Sequence, residues 1–80
     1  MRLMKVTVRW LDATSQDETC KIEELNDFKP IPCMTAGWLV KDEPDYVVVA
    51  RDLFGDEQDH PSGCIAIPRG CIVYILNHDT

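Results

Sequence analysis

The clearest alternation of apolar and polar residues lies near the N-terminus, between Met4 and Leu11. Every second residue from Met4 to Trp10 is apolar, and the residues between them are Lys, Thr and Arg. A strand with one buried face has this period of two. The segment predicts a first β-strand whose apolar side, Met4 included, packs on the core.

Two strongly β-forming runs follow in the middle of the chain, residues 33–41 and 46–53. The four residues DEPD between them place Pro44 directly after Glu43, where a tight turn accepts proline. The sequence therefore predicts a central hairpin, and the carboxylates of its turn are expected to lie in water.

Polar and turn-forming segments separate these strands from the rest of the chain. Residues 12–18 are polar, and residues 52–63 are rich in Gly, Pro, Ser and acids, which predicts two loops, the second of them mobile. Residues 20–28 carry Ile22, Leu25 and Phe28 at helical spacing. They are expected to form one helical turn or a short irregular strand, because the segment is too short for a stable helix of its own.

Two shorter apolar runs close the chain, residues 64–67 and 71–76, and the sequence PRG between them suits one tight turn or one 3₁₀ turn. The tail from Asn77 to Thr80 is expected to fray. Five short strands avoid exposed edges most simply by closing on themselves. The predicted fold is all-β: a single domain, residues 1–80, whose arrangement resembles a small five-stranded SH3-like or Sm-like barrel, with room for one short helical turn.

The stretch TAGWLVKDEPDYVVVA and the later IAIPRGCIVYI follow an order found in small proteins of phages and prophages. That order is Gly-Trp-Leu-Val, an acidic turn, Tyr-Val-Val, and then Ile-Pro-Arg-Gly before two apolar residues. The chain resembles these phage proteins over roughly residues 30–76. The resemblance implies a phage origin and a small barrel, and it transfers no catalytic residue.

The charge of the chain argues against contact with extended nucleic acid. Fourteen acidic side chains against eight basic ones give a net charge of −6, which repels a phosphate backbone. The charged N-terminus lacks the apolar core of a secretion signal, and no apolar run approaches the about 18 residues of a membrane span. We expect a cytoplasmic protein without a membrane partner, in the host cytoplasm if a phage encodes it.

No catalytic or metal-binding signature accompanies the strands. The acidic runs lack the residue order of a calcium loop, and His60 and His78 fall in the predicted second loop and tail, where we expect them to be exposed. None of the cysteines forms a C-x-x-C pair, and all four are expected to be reduced thiols that pack against apolar neighbours: Cys20, Cys33, Cys64 and Cys71. The sequence predicts no enzyme, no metal and no cofactor.

Two strands have more apolar residues than a small barrel needs. In YVVVA and CIVYIL both faces are apolar, although only the inward face of an isolated barrel has to be. The extra surface requires a cover, which is the segment 20–28, a second copy of the chain or a foreign partner. Since large apolar patches are uncommon on monomers, a homo-oligomer is favoured.

Few residues are suited to hold a small ligand. Arginine forks match phosphate, and flat rings stack on bases; the residues of this kind are Arg9, Trp38, Tyr46, Arg51 and Arg69. In the simpler interpretation, the arginines balance nearby carboxylates and the aromatic rings pack in the core. The acidic loop offers a different surface, because its carboxylates are suited to attract a basic partner protein: Asp56, Glu57 and Asp59.

These expectations favour a protein that acts by binding. The first hypothesis is a non-enzymatic phage accessory protein that counters a host process, such as antiviral defence, by sequestering a nucleotide-derived signal in an oligomeric barrel. One alternative is an inhibitor that blocks a host protein through its acidic loop and apolar strand faces. Another is a structural or assembly protein.

Overall fold

The computed structural model describes residues 3–78. Its five strands are β1 (Lys5–Asp12), β2 (Ile31–Asp42), β3 (Tyr46–Phe54), β4 (His60–Pro68) and β5 (Ile72–Asn77). The helical structure in this range consists of two single 3₁₀ turns, η1 (Ile22–Leu25) and η2 (Arg69–Cys71). The predicted all-β class is confirmed, and so is the 3₁₀ turn in front of the last strand.

All five strands belong to one antiparallel sheet in the order β4-β3-β2-β1-β5. β1 pairs with both β2 and β5, which places the N-terminal strand between the central hairpin and the last strand. β4 and β5 form the two edges, and over residues 3–78 they do not pair with each other. The sheet is therefore not closed into the expected barrel.

The core is one cluster of buried apolar residues. Its buried residues come from β1, β3 and β4, which are not all neighbours in the sheet: Val6, Val8, Val47, Val49 and Ile67. Trp10 and Leu39 are partly buried and pack against this cluster. As predicted, β1 turns alternate residues inward, but Met4 is 40% exposed, so the expectation that it belongs to the core is wrong.

The chain from residue 52 to residue 63 differs most from its prediction. β3 continues to Phe54 and β4 begins at His60, so only residues 55–59 form a loop. The register of this hairpin is regular from Tyr46 opposite Pro68 to Phe54 opposite His60. Glycine and proline weakened the strand signal, although an edge strand such as β4 accepts proline and a glycine with φ of +64° at Gly63.

The end of the chain is also more regular than expected. Asn77 belongs to β5 and lies opposite Val6, and the His78 N–H donates to the Lys5 carbonyl at 2.9 Å. The predicted fraying is therefore wrong for these two residues, and residues 79–80 lie outside the described range.

Residues 13–30, which connect β1 to β2, are here called the arm. Every arm residue from Lys21 to Pro30 is exposed, and Ile22 reaches 84% exposure. The arm therefore does not cover the sheet of its own chain. The molecule measures 55 × 24 × 19 Å with a radius of gyration of 16.2 Å, against about 12 Å for a compact chain of this length.

Candidate functional site

The register of β5, β1 and β2 places two rows of side chains on the solvent side of the sheet, here called the outer face. In one row Thr7 lies between Leu76 and Ala36. In the next row Arg9 lies between Tyr74 and Met34. These residues alternate along β1 with the buried Val6 and Val8, which is why they point away from the core.

A cleft of about 390 Å³ lies at one end of the outer face. We call it the Trp38 cleft, and its polar and aromatic lining consists of Trp38, Lys5, Thr7, Arg51 and His78. Three of these residues are of a basic type, Lys5, Arg51 and His78, and no lining residue is acidic. In a chain with a net charge of −6, this is a local concentration of positive groups.

Trp38 and Lys5 face each other across the β1–β2 ladder. They are register partners, and the Lys5 ammonium lies 5.8 Å from the centroid of the indole ring. A cation at this distance is attracted by the negative face of the ring. The pairing places a positive charge over one face of the indole ring.

His78 and Thr7 form the second polar pair of the cleft. Thr7 Oγ1 and His78 Nε2 are hydrogen-bonded at 2.6 Å, and both residues are held by the backbone ladder between β1 and the end of the chain. The sequence-based expectation that His78 lies in a frayed tail is therefore wrong. Its imidazole is exposed but fixed beside the cleft.

Arg51 reaches the cleft from β3. Its Nε donates to the neighbouring Asp52 carboxylate at 2.9 Å, yet 75% of the side chain is exposed to solvent. Gly63 leaves space for this side chain, since a Cβ there would lie 3.1 Å from both Cβ and Cζ of Arg51. The remaining guanidinium donors face solvent and are available to an anion.

The other three predicted ligand residues do not line this cleft. Arg9 lies half-buried in the middle of the outer face. Arg69 is held at the end of the central hairpin, where its guanidinium contacts the Asp42 carboxylate and donates to the Glu43 carbonyl at 3.2 Å. Arg69 therefore balances a nearby carboxylate, which is the simpler of the two interpretations that the sequence allows for the arginines.

Tyr46 is likewise engaged with a neighbour. Lys41 Nζ donates to the Tyr46 hydroxyl at 3.3 Å and lies 5.7 Å from the centre of its ring. This hydrogen bond, followed by the charges of Tyr46 and Glu43, raises the pKa of Lys41 above its ordinary value. The side chain of Tyr46 therefore helps to fix the central hairpin.

The acidic residues predicted to attract a partner lie around the β3–β4 loop. Glu57 and Asp59 line a second cleft of about 310 Å³, together with Leu3, Val40 and Pro61. The Asp59 carboxylate also lies 2.7 Å from His60 Nδ1. Asp56 lies in the same loop, and all three acids are exposed. Their role toward a basic partner stays a prediction.

Sequence reasoning found Trp38 and Arg51 but missed Lys5, Thr7 and His78. The alternation pattern places Lys5 and Thr7 on the polar side of β1, but it does not show which strands pair with β1. His78 joins the cleft only through the pairing of β5 with β1. The alternation of β1 did identify both polar residues as solvent-facing, so the missing information was strand order.

The cysteines offer no second site. Cys64 is exposed and the other three are half-buried, and all four are free thiols, so the expectation of packed cysteines is wrong for Cys64. Over residues 3–78, no group of three His, Cys, Asp or Glu side chains is placed to hold a metal ion, and no helix is long and apolar enough to cross a membrane.

In comparisons with known proteins, the chain matches no family model, no curated protein and no solved structure.

Proposed function

We propose that this chain is a non-enzymatic binding protein whose Trp38 cleft holds a small ligand of the nucleotide class, an aromatic base with one or more phosphates. The observation that carries the proposal is the meeting of an aromatic ring with positive groups in one cleft, lined by Trp38, Lys5, Arg51 and His78. These residues come from β1, β2, β3 and the end of the chain, and are close only because of the strand order.

Each group of the cleft suits one part of such a ligand. The indole of Trp38 offers a stacking surface, and stacking contributes about 1–3 kcal/mol per base in other proteins. The Arg51 guanidinium binds phosphate through paired N–H donors, and Lys5 adds positive charge over one face of the ring. Small-molecule sites usually enclose about 300–1,000 Å³, a range that includes the 390 Å³ of this cleft.

The biological setting belongs to the same proposal. The resemblance to phage proteins supports a nucleotide-derived host signal as the ligand, and binding without turnover would remove that signal from a host defence process. An SH3-like or Sm-like barrel stays part of the proposal as well. It is supported by the position of β1 between β2 and β5, and by the 3₁₀ turn between β4 and β5.

The proposal is tested by measuring ligand-induced shifts in melting temperature, followed by calorimetric titration of any hit. The panel contains nucleoside mono-, di- and triphosphates, linear and cyclic dinucleotides, free nucleosides and inorganic phosphate. A ligand at 100 times its dissociation constant stabilises the folded state by about 2.7 kcal/mol, which such a scan detects readily. We expect a shift with at least one phosphorylated nucleotide and a smaller shift, or none, with the nucleosides and with phosphate alone.

Two variants and one matched control locate the site. Trp38→Ala and Arg51→Gln are each expected to weaken binding about tenfold or more, because each removes a stacking surface or a charged donor worth roughly 1.5 kcal/mol. Arg69→Gln removes the same charge outside the cleft and should bind as the unaltered protein does. The proposal would be overturned by the absence of a shift with any nucleotide, or by cleft variants that both bind as tightly as the unaltered protein.

A further inference from the structure

The arm and the outer face are complementary surfaces that one chain does not bring together. We propose that they join two copies of this chain in a reciprocal homodimer, in which the arm of each copy lies on the outer face of the other. This proposal does not rest on the ligand assigned to the Trp38 cleft. The arm would lie on the rows around Thr7 and Arg9, and the two surfaces adjoin at Thr7, which also lines the cleft.

The exposed area is large enough for such a dimer. The chain has an accessible surface of 6233 Å², whereas a compact monomer of this mass exposes about 4,900 Å². The excess of roughly 1,300 Å² exceeds the approximately 800 Å² that each partner buries in a standard protein interface. A reciprocal dimer buries two equal contacts, so each arm has to cover only half of the interface.

Apolar side chains of both surfaces lack a cover within the chain. On the arm, Ile22, Leu25 and Phe28 are 84%, 36% and 42% exposed. On the outer face, the corresponding values for Met34, Tyr74 and Leu76 are 56%, 42% and 50%. Methionine, aromatic residues and arginine are enriched at protein interfaces, and the row formed by Tyr74, Arg9 and Met34 has that composition.

The charges of the two surfaces are opposite. The arm carries five acids and two lysines: Asp17, Glu18, Glu23, Glu24, Asp27, Lys21 and Lys29. The outer-face positions of β1 carry Lys5 and Arg9, and the positions opposite them on β2 and β5 carry no acid. Complementary potentials of this kind select one partner and one orientation. They favour the acidic arm as the occupant of the outer face. Since residues 21–30 of the arm are exposed and do not cover the sheet of their own chain, the arm of a second copy is the occupant.

The experiment measures molar mass in solution by sedimentation equilibrium over a range of micromolar concentrations. The unaltered chain is expected to show twice the monomer mass. Ile22→Glu on the arm and Met34→Glu on the outer face should each raise the dimer dissociation constant about tenfold or more. Phe54 is 58% exposed at the opposite end of the sheet, so Phe54→Glu is the matched control and should leave that constant unchanged.

A charge reversal then distinguishes a dimer that is held together by the arm from a dimer that is held together by another surface. Arg9→Glu and the double variant Glu23→Arg/Glu24→Arg should each weaken the dimer, and their combination in one chain should restore at least part of the affinity. Circular dichroism verifies that each variant is folded. The proposal is overturned if the unaltered chain is a monomer throughout the range, if Ile22→Glu and Met34→Glu leave the dimer intact, or if the combined reversal restores nothing.

Discussion

At Gly37 the backbone of β3 occupies the space that a side chain would need. A Cβ at this position would lie 2.2 Å from the Ala50 carbonyl oxygen and 3.1 Å from Cγ1 of Val49. Neither the carbonyl nor the buried valine can withdraw without disturbing the β2–β3 ladder. The absence of a side chain at residue 37 therefore lets the two strands approach next to the Trp38 cleft.

Replacing Gly37 tests this close approach. Gly37→Ala is expected to lower the free energy of unfolding by about 2 kcal/mol or more, since overpacking a core typically costs 1–3 kcal/mol. In a domain of this size that corresponds to a fall in melting temperature of roughly 10 °C. A Cβ at Gly70 would meet no heavy atom within 4 Å, so Gly70→Ala is the control and should change stability by less than about 0.5 kcal/mol. Equal effects at the two glycines would contradict the steric explanation.

The central hairpin is held by contacts that a turn residue alone does not provide. The Glu43 N–H donates to the Tyr46 carbonyl at 2.9 Å, and the Arg69 N–H donates to the Asp45 carbonyl at 2.8 Å. The Arg69 side chain adds its contacts with Asp42 and Glu43. The start of η2 is thus tied to the β2–β3 turn, which positions the link between β4 and β5.

Arg69→Gln removes the side-chain part of this connection. Since the Arg69 and Asp42 side chains are 39% and 56% exposed, solvent screening reduces the expected loss to about 0.5–1 kcal/mol. Arg51→Gln removes an arginine that is ion-paired with Asp52 and whose side chain is 75% exposed. This variant should lower the free energy of unfolding by less than Arg69→Gln does. The measurement is urea unfolding of both variants without ligand. Unchanged stability of the Arg69→Gln variant would show that the Arg69 side-chain contacts do not stabilise the hairpin.

The elements that could be predicted were those whose signal lies within a few residues. The alternation of β1 and the proline of the central turn are local features, and both identified their elements correctly. The strand over residues 64–67 was also predicted, but the first part of β4, residues 60–63, could not be recognised, because Pro61 and Gly63 are acceptable only on a sheet edge, and an edge is a property of the whole sheet. For the same reason Trp38 and Arg51 were found as chemical types, whereas His78 required knowledge that β5 pairs with β1.

At the scale of the whole molecule, a small core supports a long sheet. The apolar residues that are fully buried over residues 3–78 are few: Val6, Val8, Val47, Val49, Ala50 and Ile67. A chain of this length buries only about 60% of its unfolded surface even when it is compact, and this chain is extended. Its stability as an isolated copy is therefore expected to be low, which is consistent with assembly.

Ile67 is the largest of these buried side chains and is 0% exposed. Ile67→Ala is expected to destabilise the fold by about 3 kcal/mol, within the 2–5 kcal/mol typical of such truncations, and to populate unfolded chains at 25 °C. Val73 is 58% exposed on β5, so Val73→Ala should have almost no effect. Thermal unfolding at one fixed protein concentration compares the two variants. A mild effect at Ile67 would show that the sheet does not depend on this cluster.

The extended shape also determines how the protein diffuses. A body 55 Å long and 24 Å wide has more friction with water than a sphere of equal volume, so it migrates as a larger particle than its mass implies. On a size-exclusion column a single copy would elute early, in the direction expected of a compact dimer. The frictional ratio therefore carries its own information: docking of the arms would make the dimer rounder than the monomer, so the frictional ratio of the dimer should be lower than that of the monomer.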